Sequence, residues 1–97
     1  MIYIKIDGML SGTGIRDSVN GGYLCPEKLG LSVDLRNKIF EWVGRYENAH
    51  YMQYEDASYI EFLDKEGIEI SKMFKREIPD SKVEYFSDAY MKLLPIV

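Results

Sequence analysis

One cysteine and one histidine in 97 residues leave this chain without the means for several common chemistries. Cys25 has no partner for an internal disulfide, and Cys25 with His50 falls short of the ligand set a structural zinc site needs. No metal or other cofactor is expected. Positive charge is also short: twelve Lys and Arg stand against sixteen acids, a formal net charge of −4. A domain with that balance repels a phosphate backbone, so direct nucleic-acid binding is not expected. No apolar run approaches the ~18 residues of a membrane span, and the opening MIYIKIDGML has neither a basic leader nor a cleavage site. These absences point to a cytoplasmic protein that does not engage membranes.

What is present describes a single domain covering residues 1–97, with apolar residues at 46% and no internal repeat or low-complexity stretch. Acidity favours fast encounter with basic proteins. Eight of the aromatics are tyrosines, which combine an apolar body with a polar tip and suit interfaces as well as cores.

MIYIKI alternates apolar and polar positions, the period of a half-buried strand. The loop SGTGIRDSVNGG follows it, as a phosphate-binding loop would. Gly12 and Gly14 fit a dinucleotide fingerprint, but Asp17 puts a carboxylate where the third glycine belongs, and no Gly-Lys-Ser/Thr follows for a P-loop. The loop reads as a turn-rich connector that could still bind a partner, followed by a short strand at Tyr23–Cys25 ended by Pro26.

Ser32 caps a helix whose residues Leu35, Ile39, Trp42, Val43 and Tyr46 share one face, with Asp34–Lys38 and Glu41–Arg45 as i,i+4 pairs outside. A second helix begins near Ser58, which has capping-box spacing to Glu61. It carries Tyr59, Ile60, Leu63, Gly67, Ile70 and Phe74 inward and ends before Pro79. Gly67 on that stripe implies close approach to a neighbouring backbone, while the alternation of GIEIS leaves a strand over 68–72 as an alternative. Asp64 and Glu66 flank the stripe on a solvated side. SKVEYF is a closing strand, and the tail is either a helical turn or extended. The fold class is therefore α+β, a small β-sheet with two antiparallel helices packed against it.

His50 prolongs the apolar face of the first helix and is expected to be partly buried and hydrogen-bonded. Cys25 is expected to be a small packed residue. The connector ENAHYMQYED places Tyr51, Tyr54, Glu55 and Asp56 on a surface turn, where aromatics with an acidic rim resemble interface anchors. Phe62 lies off the stripe, packed on a second layer or exposed for a partner. Asp17, Tyr51, Tyr54, Glu55, Asp56, Glu61 and Phe62 form the candidate binding set, and alanine at Tyr54 and Asp56 is expected to loosen a partner without loss of fold.

LGLSVDLRNKIFEWVGRYE carries Leu31, Ser32, Leu35, Ile39, Trp42, Tyr46 and Glu47 in a pattern that resembles small bacterial immunity proteins. GIRDSVNGGYLCPEKLGL looks like their variable loop and short strand, and DKEGIEISKMFKREIPDSKVEYF is similar to their second helix and closing strand. The resemblance implies an immunity protein of a contact-dependent growth inhibition or related polymorphic toxin system. Its partner would be a cognate toxin C-terminal domain, often a nuclease such as a tRNA-cleaving ribonuclease, and elongation factor Tu would meet it only through the toxin. The family has no shared catalytic motif, so the resemblance assigns no catalytic residue and no enzymatic activity. Two other classes stay open: a small hydrolase using His50 with a nearby carboxylate, and an adaptor subunit packed on a permanent partner.

Overall fold

The computed structural model describes residues 1–96. Strand β1 (Ile2–Asp7) leads into β2 (Ile15–Asp17), and a 3-10 turn over Pro26–Leu29 precedes helix α1 (Val33–Tyr51). Helix α2 (Ala57–Glu77) then returns the chain to β3 (Ser81–Ser87) and β4 (Lys92–Leu94). The strands form one sheet in the order β2-β1-β3-β4. β1 pairs with β3 in parallel and with β2 antiparallel, and β3 pairs with β4 antiparallel. The parallel pair follows from the helical hairpin: Ser32 at the start of α1 meets Glu77 at the end of α2, so β3 starts where β1 starts.

The fold is α+β, with both helices on the sheet face that carries Ile4, Ile6, Ile15 and Tyr85. Trp42 is its centre, wholly buried, donating its indole N–H to the Leu63 carbonyl at 2.8 Å and packing edge-on to Tyr46. The five residues expected on the inner face of α1 are all buried, as are Ile60, Leu63, Gly67, Ile70 and Phe74 of α2.

Several local expectations give way. The glycine loop contains β2, and Tyr23 makes only an isolated bridge to Arg16, so no strand forms at 23–25. Gly21 and Gly22, both with φ 74°, turn the chain back along the outer edge of β2. Where alternatives stood open, residues 68–72 belong to the second helix as its stripe required, and the tail takes the extended form as β4. Gly67 does permit close approach, but to the rings of Tyr85 and Trp42, not to a backbone. Asp56, not Ser58, caps α2, accepting from the Tyr59 N–H at 3.1 Å. Lys38 and Arg45 reach across to Glu66 of α2, at 3.7 and 2.5 Å, in place of their own-helix partners. Asp64 is buried and not solvated.

Candidate protein-binding site

The turn between the helices is built by its own residues. Met52 N–H donates to the Asn48 carbonyl and Tyr54 N–H to that of Ala49, which closes α1. Gln53 and Tyr54 are both left-handed, at φ 58° and 55°, a conformation that costs a residue with a Cβ ~1–2 kcal/mol. Strain of this kind in a surface turn is compatible with a recognition role. Asp56 then starts α2.

Tyr54 is the turn's fixed point. Its ring packs edge-on to Tyr46, with centroids 6.3 Å apart, and its hydroxyl donates to Asp88 Oδ2 at 2.8 Å. Burial first, and then the Asp88 carboxylate, push the Tyr54 hydroxyl well above the ordinary tyrosine range. Because its one proton goes to Asp88, its oxygen accepts from His50 Nδ1–H at 3.2 Å. In a neutral imidazole that tautomer makes Nε2 the acceptor nitrogen. His50 is exposed, not half-buried as the helical stripe suggested, because in the last turn of α1 the buried face is continued by Ala49.

Around this fixed point lies the exposed material. Tyr51 and Met52 are 66% and 64% exposed. A cavity of about 240 Å³ opens between the ends of the helices, lined in part by Met52, Tyr54, Glu55, Asp56 and Tyr59. Tyr51, Tyr54, Glu55 and Asp56 thus gather at one end of the molecule. Phe62 is exposed on the outer side of α2, beyond Tyr59. Glu61 lies on the flank facing β4, 3.4 Å from Lys65.

Asp17 is not brought to this end. It pairs with Ile4, and the next residue, Ser18, donates its N–H to the Tyr3 carbonyl, toward the start of β1. Its Oδ1 accepts from the N–H groups of Val19 at 2.8 Å and Asn20 at 3.0 Å. The Asn20 and then the Val19 N–H hold the carboxyl below the ordinary range. Asp17 builds the hairpin turn of its loop.

Two features escaped the sequence reading. Phe40 is 80% exposed on α1, beside a cavity of about 370 Å³ that also touches Cys25, Pro26 and Arg36. Its i,i+7 partner Val33 is exposed as well, and that spacing was available in the sequence. Cys25 is exposed and donates to Glu27 at 2.7 Å, so it is not a packed residue. The second feature is the Asp64 cluster, in which Tyr46, Tyr85 and Ser87 all donate to one buried carboxylate. No pattern in the sequence announces it, since the donors come from α1 and β3 and the acceptor from α2.

Among the described residues no group of three or more His, Cys, Asp or Glu could hold a metal ion, and no helix is long and apolar enough to cross a membrane. No protein-family model matches the chain, and no curated protein is found as a relative.

Proposed function

We infer that the chain is an immunity protein that neutralises a cognate toxin domain by stoichiometric binding in the cytoplasm, without turnover of its own. The observation that carries the reading is the α1–α2 turn. Tyr51 and Met52 stand exposed just before the left-handed Gln53 and Tyr54, beside the acids Glu55 and Asp56 and a cavity that a partner side chain can enter. Aromatic and Met side chains are favoured at interface cores, and a carboxylate rim suits a basic partner such as the phosphate-holding site of a nuclease. The resemblance in Leu29–Glu47 supports the same reading.

The test is co-expression with toxic domains encoded by neighbouring genes, followed by isolation of the complex. Growth rescue with a 1:1 complex supports the reading, and rescue without a complex sinks it. Tyr51→Ala and Met52→Ala are the informative substitutions. Tyr54 and Asp56, first expected to be free of structural duty, brace the turn and cap α2, so alanine there also costs stability. The His50–Tyr54–Asp88 chain favours a second reading, a small hydrolase with His50 Nε2 as base. A His50→Ala protein that protects cells fully removes it.

A further inference from the structure

At the opposite end of the molecule, among the described residues, the first half of β3 has an edge without a paired strand. β4 pairs only with Tyr85–Ser87, and its last paired residue is Leu94. On the other side, Ile2 N–H donates to the Asp80 carbonyl at 3.2 Å. Strand alternation then directs the backbone groups of Lys82 and Glu84 to β1 and those of Ser81 and Val83 away from it. The Ser81 carbonyl accepts from Lys75 Nζ. Among the described residues, the outward N–H and carbonyl of Val83 meet no backbone partner.

A cleft of about 440 Å³ runs along this edge, lined by Lys72, Lys75, Arg76 and Lys82, with Val83 and Ile96 as apolar wall. Of the nearby acids, one pairs with a cation of the cleft and the others are engaged elsewhere. Glu69 lies 3.2 Å from Lys72, Glu84 pairs with Lys5, Glu77 binds Ser32, and Asp80 faces the Met1 nitrogen. Among the described residues, Lys75, Arg76 and Lys82 have no carboxylate within ion-pair distance. In an acidic protein this is a local reversal of sign beside an unpaired strand.

We propose that this cleft receives an extended, carboxylate-bearing segment of a partner protein, which adds to the sheet as a strand at Val83 while its acids meet Lys75, Arg76 and Lys82. Main-chain pairing supplies affinity and the cations select acidic side chains. A phosphate or a nucleic acid would use the cations but has no use for a donor and acceptor spaced as in a strand. This surface is separate from the α1–α2 turn, and its test needs no toxin, so either proposal can fail alone.

The test is an NMR titration of the whole chain with an alternating Glu-Val decapeptide, its Gln-for-Glu counterpart, inorganic phosphate and a short single-stranded RNA. The Glu-Val peptide is expected to slow exchange of the Val83 amide and to shift Lys75, Arg76 and Lys82. The Gln peptide, and the Arg76→Glu/Lys82→Glu protein with the Glu peptide, are expected to bind at least about tenfold more weakly. Val83→Pro removes the outward N–H while sparing the β1 ladder, and is expected to abolish peptide binding. The proposal is overturned if the Val83 amide is not protected at millimolar peptide, if Val83→Pro binds as well as the parent, or if phosphate or RNA shifts these residues while the peptide does not. Should Val83→Pro fail to fold, Val83 exchange in the parent chain decides alone.

Discussion

Asp64 is a buried carboxylate satisfied by hydroxyl groups. Its Oδ1 accepts from Tyr46 at 2.8 Å and Tyr85 at 2.6 Å, and its Oδ2 accepts from Ser87 at 2.8 Å. Tyr46 Oη in turn accepts the Ala89 N–H and Ser87 Oγ the Tyr90 N–H, so one carboxylate ties both helices to the turn after β3. Tyr85→Phe removes one donor of three and should cost about 1–2 kcal/mol in urea unfolding, whereas Asp64→Leu strands all three hydroxyls and should cost about twice that or more. Burial, the leading cause for both rings, raises the Tyr46 and Tyr85 hydroxyls far above the ordinary tyrosine value. In the unfolded chain they ionise near pH 10, while the folded protein keeps both protons. Stability is therefore complete below pH 10 and falls as pH rises beyond it, by about 1.4 kcal/mol per pH unit for each of these two buried rings. Tyrosinate absorbance for these rings should appear only together with loss of helical circular dichroism, and titration ahead of unfolding would contradict their burial. Gly67 lies against the Tyr85 ring of this group. A Cβ there would enter the rings of Tyr85 and Trp42, so Gly67→Ala should lose about 1–3 kcal/mol to overpacking, more than the ~1 kcal/mol gained in helix propensity.

At the scale of elements, the start of α2 separates two readings cleanly. Ser58 has the sequence spacing of a cap, yet Asp56 Oδ1 holds the Tyr59 N–H. Asp56→Ala should cost about 1 kcal/mol, while Ser58→Ala, at an exposed site in the first turn, should be nearly neutral; equal losses would reinstate the capping box. Both helices were legible because their apolar residues repeat at the helical period, over about three turns from Leu35 to Tyr46 and about four from Ile60 to Phe74, and burial follows that period. The strand alternative at 68–72 fails for a tertiary reason: Gly67 and Ser71 sit on the inner face of one continuous helix, and Ser71 Oγ back-bonds to the Gly67 carbonyl at 2.9 Å. β2 and β4 were hidden because three residues are too few to show alternation; their pairing partners define them. Of the candidate site, the contiguous Tyr51–Asp56 segment was legible as a turn with aromatics. That Tyr54 is tethered to Asp88, 34 residues away, and that Asp17 lies near the other end of β1, depend on sheet register, which single residues do not encode.

The whole molecule has a sense of direction that its net charge of −4 conceals. Helix α2 is capped by Asp56 and carries Lys75 and Arg76 in its last turn, an order that also complements the helix dipole. With Glu55 on the turn, and with Lys75, Arg76 and Lys82 lacking a carboxylate partner among the described residues, the two ends of α2 present opposite signs to a partner. If the turn meets a basic toxin, charge governs how fast the partners find each other and buried side chains govern how long they stay. Glu55→Lys should therefore lower the association rate severalfold at low ionic strength, with the difference fading once the Debye length falls below about 10 Å. Tyr51→Ala should leave that rate nearly unchanged and speed dissociation by about tenfold or more, as the loss of an aromatic anchor does. Reversing charge at the other end, with Arg76→Glu and Lys82→Glu, should hardly touch dissociation of the toxin. Surface plasmon resonance across a salt series separates these effects, and a toxin whose release quickened with the last pair but not with Tyr51→Ala would mean that it docks on the basic end.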